Sequence, residues 1–329
     1  MTTHAHPAHS SRRSRTTAVA SVAALALALL SACGSDTSTT GTHPGEAVAA
    51  GAATAKIPTQ DVVSQVTVDP AVRAELPQAV RTRGTLLLGT SPAIGTSALP
   101  HAGQAPDGTT VGLDVDLRNA VAKVLGVRWD VQYGTFPTVI PGVQNGRFDV
   151  GQDNFGVTKA REQVVDFATY LNDGQSFLGA QGIGLDKVTS LTDLCGHTVA
   201  TTPGSTFQQI LTAGAARCAA VGKSPYRVQY FADTAPIFLG LANGKIDIYF
   251  GPTLALKYDA LHLPGTTYLG QISSTPVGFV TAKGSRLAKA LSDAVNKLVA
   301  TGDYARIFAK WSVPETRVSR SVVNPTATF

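Results

Sequence analysis

The sequence predicts an α/β fold of two similar lobes joined by two hinge crossovers. Strand-like and helix-like patterns alternate through most of the chain, which is typical of parallel sheets with right-handed crossovers. One turn motif occurs twice, as QNGRFD at residues 144–149 and ANGKID at residues 242–247. The 329 residues are 43% hydrophobic, enough for two modest cores. The alternative, a single fused sheet, would place every element in one layer stack.

Residues 1–32 are predicted to be a lipoprotein signal peptide. A basic segment ends at Arg15, and an apolar run from Ala18 to Leu30 follows. This run is shorter than the roughly 20 residues that span a bilayer. It ends in Leu30-Ser31-Ala32-Cys33, which resembles the lipobox of bacterial lipoproteins. That resemblance implies a lipid on Cys33 and a location on the outer face of the cytoplasmic membrane. An ordinary signal peptide with an incidental cysteine is the alternative.

The charge distribution argues against nucleic acid as a partner. The formal net charge is +5, but Arg12, Arg13 and Arg15 belong to the predicted signal, so 5 minus 3 leaves +2. Binding to a phosphate backbone requires clustered Lys and Arg, which the rest of the sequence lacks. No second stretch of about 18 apolar residues follows the signal, so we expect a tethered protein.

The remaining chain is predicted to form a tether, two lobes and two hinges. Residues 33–68 are rich in Ser, Thr, Gly and Ala, the composition of a flexible tether. Asp69-Pro70 is a helix start, and we expect that helix to run to about Arg83. The predicted bounds are residues 69–178 and 281–329 for the first lobe, 183–273 for the second, and 177–184 and 273–280 for the hinges.

Apolar periodicity defines the elements within the lobes. The helix over residues 114–125, for example, presents Val115, Leu117, Val121, Val124 and Leu125. We predict strands over residues 85–89, 127–132, 148–151, 197–201, 227–231 and 245–250, and helices over residues 114–125, 136–144, 205–216, 234–242, 253–261, 285–300 and 303–311.

Two cysteines remain once Cys33 is assigned to the lipid. Export would place Cys195 and Cys218 in an oxidising compartment, so we predict a disulfide between them. The bridge would close a loop of 218 minus 195, or 23, residues. Two buried free thiols are the alternative.

Two polar segments are the candidate binding elements. In residues 149–167 a strand runs into a polar loop and then a short helix that presents Arg161, whose planar guanidinium suits a carboxylate. The alternative is a surface pair of Arg161 with a neighbouring carboxylate. In residues 201–207 Gly204 permits a tight turn, and Ser205 and Thr206 open a helix whose free N–H groups attract an anion. Ser205 as a helix cap alone is the competing interpretation.

These segments resemble the bacterial extracellular solute-binding proteins of family 3, the polar amino-acid binders of ABC importers. The resemblance rests on Thr158, Arg161, Val165-Asp166-Phe167 and Tyr170, and the match extends over residues 81–311. It implies a type II periplasmic-binding-protein fold in a monomer that requires no cofactor or metal and has no catalytic residue. It also implies that Arg161 pairs with the carboxylate of an amino-acid-like solute, which is delivered to an ABC transporter permease.

Three departures from the family pattern shape the expected site. Pro252 occupies the position of a second-lobe acid that binds the ligand ammonium, and Pro92 to Gly95 replace an aromatic residue, for which Phe136 or Tyr133 would substitute. The last departure is that Asp153, Asn154 and Gly156 replace small hydroxyl residues. We hypothesise that Asp153 supplies the missing negative charge; a strand-end or helix-cap role is the alternative.

An enzyme is the competing function. The same fold occurs in exported dehydratases of the cyclohexadienyl type, which act on prephenate or arogenate, and Asp153 would be the available general acid. The sequence contains no Gly-x-Ser-x-Gly, His-Glu-x-x-His or Gly-x-x-x-x-Gly-Lys motif.

Overall fold

The computed structural model describes residues 57–329, which contain one large mixed sheet and its covering helices. The strands are β1 (Thr85–Thr90), β2 (Gly103–Gln104), β3 (Thr110–Val111), β4 (Arg128–Tyr133), β5 (Val150–Gly151), β6 (Val165–Ala180), β7 (Thr198–Thr201), β8 (Arg227–Tyr230), β9 (Ile248–Pro252) and β10 (Thr266–Ala282). The helices are α1 (Pro70–Ala74), α2 (Gln78–Arg83), α3 (Leu113–Leu125), α4 (Phe136–Gln144), α5 (Lys159–Glu162), α6 (Thr206–Gly214), α7 (Arg217–Ala220), α8 (Ala235–Ala242), α9 (Thr253–His262), α10 (Leu287–Thr301) and α11 (Asp303–Lys310).

The sheet has the order β4-β1-β5-β10-β6-β9-β7-β8, and this order contains both lobes. Strands β4, β1 and β5 are parallel in the first lobe, as are β9, β7 and β8 in the second. The two long strands β6 and β10 pair antiparallel along their lengths. The C-terminal end of β10 pairs with β5 in the first lobe, and the C-terminal end of β6 pairs with β9 in the second lobe. The predicted two-lobed fold with two crossovers is therefore confirmed, and the crossovers are continuous strands.

The sequence did not predict β6 as one long strand. Residues 177–180 of the first predicted hinge lie inside it, and residues 177–179 pair with β9. The strand is buried on both faces, so its apolar and polar residues do not alternate in the way that predicts a half-buried strand. The lobe and hinge boundaries themselves stay predictions.

Two other boundaries differ from the prediction. The helix expected from Asp69 to Arg83 is divided into α1 and α2, because Pro77 disfavours helical geometry at the residue before it. Residues 57–68, assigned to the tether, lack regular secondary structure but pack against the first lobe, with Val66 buried. Apolar side chains at Val62, Val63 and Val66 give this segment a surface to bury.

Each lobe has its own apolar core. The largest cluster in the first lobe joins β1, α3, α10 and α11, and one in the second lobe joins β7, β9 and α6. The predicted Cys195–Cys218 disulfide is present and contributes to the second of these clusters. Within residues 57–329 no helix is long and apolar enough to cross a bilayer. The predicted signal peptide, Cys33 and residues 34–56 lie outside the described residues.

Candidate functional site

A cavity of about 220 Å³ lies between the lobes. The loops at the ends of β1, β5, β7 and β9 line it, as expected for α/β sheets in which ligands bind beyond the carboxyl ends of parallel strands. The predicted ligand-binding residues all line this one cavity: Phe136, Asp153, Asn154, Gly156, Arg161, Ser205 and Thr206. Tyr133, the other aromatic candidate, is half exposed and does not line it.

Arg161 lines the cavity and contacts both lobes. The hydroxyl of Thr158 accepts a hydrogen bond from the Arg161 backbone N–H and caps α5, which fixes the start of the arginine side chain. The guanidinium donates from Nη1 to the Gly156 carbonyl at 2.8 Å and from Nη2 to the Gly204 carbonyl of the second lobe at 2.9 Å. It also lies 5.5 Å from the centre of the Phe136 ring. The Arg161 side chain is therefore fixed in position, while its other donors form no hydrogen bond within residues 57–329.

The charge of Arg161 has no carboxylate partner among residues 57–329. The surface pair considered from the sequence is absent from this part of the chain, since Asp166 pairs instead with Lys283 at 2.8 Å. Arg161 is only 7% exposed, and burial lowers its pKa to about 10. A buried cation beside a cavity favours an anionic ligand, because pairing offsets the cost of desolvation.

The second-lobe turn lies across the gap from Arg161. Gly204 has φ +73°, a left-handed conformation that glycine adopts without strain. Ser205 does cap α6: its hydroxyl donates to the Thr202 carbonyl and accepts from the Gln208 N–H at 3.1 Å. Capping leaves the first N–H groups of α6 near the cavity, so the structural and binding roles of the turn are compatible.

Asp153 is a half-buried carboxylate on the first-lobe side. Its Oδ2 accepts a hydrogen bond from the Ser91 hydroxyl at 2.6 Å. Burial raises the pKa of Asp153 to about 6, although the bond from Ser91 opposes this shift. Asn154 donates to Asp173 at 2.9 Å, and a Cβ atom on Gly156 would lie only 2.8 Å from Cγ2 of Thr275, too close for a side chain without a shift of Thr275. The loop thus brings the carboxylate of Asp153 to the cavity and places the backbone of Gly156 close to Thr275.

An ionic cluster that the sequence did not predict also lines the cavity. His101 Nε2 lies 3.0 Å from Asp173 and its Nδ1 lies 3.3 Å from Asp114. Burial opposes protonation of His101, but the two carboxylates outweigh it and raise its pKa to about 10. Asp173 also accepts from the N–H of Leu254 at the start of α9. His101 and its partners are far apart in sequence, so no local pattern indicated this cluster.

Asp259 is the second residue that the sequence did not reveal. It lies on α9, lines the cavity and is only 3% exposed. Burial raises its pKa from the ordinary value of 3.8 to about 8. The family pattern has an acid at the position of Pro252, whereas this chain has a carboxylate seven residues later, at Asp259. Pro252, Ala255 and Asp259 all line the cavity, and this helical spacing is the signal that could have identified it.

Comparison with known proteins places the chain among binding proteins. Residues 93–314 match the model of bacterial extracellular solute-binding proteins, family 3. The chain belongs to this family. The matched residues include the first-lobe loop with Arg161 and the second-lobe turn, so the family-level prediction is confirmed.

Relatives and solved structures agree with this membership. The solute-binding protein is 30% identical to the arginine-binding protein ArgT of Corynebacterium glutamicum over 264 residues, which are 78% of this chain and 83% of ArgT. It is similar to the structure of an ancestral arginine-binding protein bound to arginine, with a TM-score of 0.61 and 30% identity. The similarity covers 70% of this chain and 98% of the ancestral protein. Another similar structure is an ancestral amino acid-binding protein described as a precursor of cyclohexadienyl dehydratase, with a TM-score of 0.60 and 26% identity. That similarity covers 71% of this chain and 97% of the other.

Proposed function

We propose that this protein captures an amino acid with a cationic side chain and delivers it to an ABC importer. The observation that carries this proposal is the buried Arg161 guanidinium, which contacts both lobes and lacks a carboxylate partner within residues 57–329. A ligand carboxylate placed between Arg161 and the start of α6 would bind both lobes and favour their closure.

The charges around the cavity support a cationic ligand. Its lining contains five aspartates, at positions 114, 153, 173, 233 and 259, against Arg118, Arg161 and His101. An amino acid with one carboxylate and two cationic groups complements this excess of acid. The relatives named for arginine support the same ligand class.

We also propose that a lipid on Cys33 anchors the protein to the membrane. Tethering raises the effective concentration of a binding protein near its permease. Intact mass spectrometry of protein extracted from membranes should show a diacylglyceryl cysteine at the mature N-terminus. Release of the Cys33→Ala variant into the medium would support the anchor, and an unmodified cysteine on retained protein would contradict it.

Titration calorimetry with L-arginine, L-lysine, L-histidine, L-glutamine and L-glutamate tests the ligand class. We expect arginine or lysine to bind most tightly and glutamate to bind least. Tightest binding of glutamate would contradict the proposed charge complementarity, and binding of none of the five would contradict the proposal as a whole.

A dehydratase is the second candidate because Asp153 has a pKa of about 6, a value suited to a general acid near neutral pH. The similar structure described as a precursor of such an enzyme is itself named an amino acid-binding protein, which favours binding. Incubation with prephenate and an absorbance assay for phenylpyruvate distinguish the two functions. Turnover that Asp153→Asn abolishes would establish the enzyme.

A further inference from the structure

Asp259 is a buried carboxylate of the cavity that no residue of the described chain neutralises. Its Oδ2 has no hydrogen-bond partner, and its carboxylate forms no ion pair within residues 57–329. The other side chains of α9 on this face of the cavity, such as Ala255, are apolar. Desolvating an unpaired carboxylate costs free energy, and a cation that reaches it offsets that cost.

The other cavity aspartates are already partnered or exposed to water. Asp114 and Asp173 flank the protonated His101, and Asp153 accepts a hydrogen bond from Ser91. Asp233 is exposed. Asp259 is therefore the buried acid of the second lobe that is available to a ligand.

Asp259 and Arg161 line the cavity from different elements, α9 and α5, and no ion pair joins them. Arg161 donates to the Gly156 carbonyl, and Asp153 lies three residues earlier in the same cavity-lining loop, so a carboxylate closely precedes the residue that Arg161 contacts. Covalent geometry holds the α-ammonium of an amino acid within a few ångströms of its carboxylate. Asp153 can therefore receive the α-ammonium, which leaves Asp259 for a cation on the side chain of the ligand.

We propose that Asp259 is a specificity-determining residue that receives the distal cationic group of an amino acid whose carboxylate lies at Arg161. This assignment rests on the proposed function and adds the residue that selects the side chain. In the absence of a cationic side chain the carboxylate of Asp259 stays unpaired, so ligands with neutral side chains bind more weakly. The selection arises from α9, beyond the position where the family pattern would place a second-lobe acid.

The test compares L-arginine with L-citrulline, whose side chain has nearly the same shape but no charge. Titration calorimetry on the wild-type protein and on Asp259→Asn measures both affinities. Asp186→Asn is the matched control, since it removes an exposed aspartate that does not line the cavity. We expect Asp259→Asn to weaken arginine binding by at least about 30-fold, the lower range for removing one partner of a buried charge pair. Citrulline affinity should change by less than about threefold in either variant.

Each outcome decides between distinct conclusions. Loss of arginine affinity with retained citrulline affinity, specific to Asp259→Asn, supports the assignment. Equal losses for both ligands would overturn it, because they would place Asp259 near the α-ammonium or in a structural role. Unchanged arginine affinity, or equal binding of both ligands by the wild-type protein, would also overturn it while the proposed function stands. Failure of the wild-type protein to bind either ligand would reject the proposed function itself.

Discussion

Replacing Arg161 with alanine separates binding from folding at the site. In the proposed site the arginine donates to a ligand carboxylate, and losing one partner of such a charge-assisted pair costs roughly 2–5 kcal/mol. That range corresponds to an affinity lower by about 30-fold to several thousand-fold. We therefore expect Arg161→Ala to bind its amino acid at least about 30-fold more weakly than the wild-type protein.

The same substitution should affect stability much less. Burial lowers the pKa of Arg161 from 12.5 to about 10, a desolvation cost of roughly 3 kcal/mol that the variant avoids. The variant also loses the hydrogen bonds to Gly156 and Gly204, each of which contributes roughly 1.5–3 kcal/mol. These effects partly offset each other, so the free energy of unfolding of the ligand-free protein should fall by no more than about 3 kcal/mol.

Titration calorimetry and urea unfolding of the ligand-free protein provide the two readouts. Lys159→Ala is the matched control, because it removes a positive charge from the exposed side of the same short helix. Wild-type affinity in Arg161→Ala would refute the carboxylate assignment. Unfolding of Arg161→Ala with binding intact in the remaining folded fraction would show that Arg161 acts through stability.

Two further predictions concern the second lobe. Replacing both Cys195 and Cys218 with serine should lower the free energy of unfolding by roughly 3 kcal/mol, because the bridge closes a 23-residue loop. Thermal unfolding measures this change, and an unchanged Tm would contradict the prediction. Asp259 has a raised folded pKa of about 8, so its contribution to stability is present below pH 4 and is lost as the pH rises to 8. Relative to Asp259→Asn, the free energy of unfolding of the ligand-free wild-type protein should fall by on the order of 5 kcal/mol between pH 4 and pH 8. Urea unfolding at a series of pH values measures this change, and the same pH dependence in both proteins would disprove the shift in pKa.

The sequence predicted most elements because their patterns are local. Helix α4 begins and ends at the predicted residues, and β1 starts where expected. The boundary errors arose where tertiary burial overrides the local pattern, as in β6, which is covered on both faces. The cavity-lining residues close to Arg161 were also predicted, since the order of strand, polar loop and short helix is encoded within 19 consecutive residues, 149–167.

The sequence alone therefore determined the two-lobed architecture, the disulfide partners and the arginine proposed to hold the ligand carboxylate. These features depend on periodicity, cysteine number and continuous motifs, all of which can be read along the chain. Only the tertiary structure brought Arg161 to the Gly204 carbonyl, His101 between two distant aspartates, and Asp259 into the cavity. Charge burial and pairing depend on which segments meet in space, and the spacing of residues along one chain does not specify that meeting.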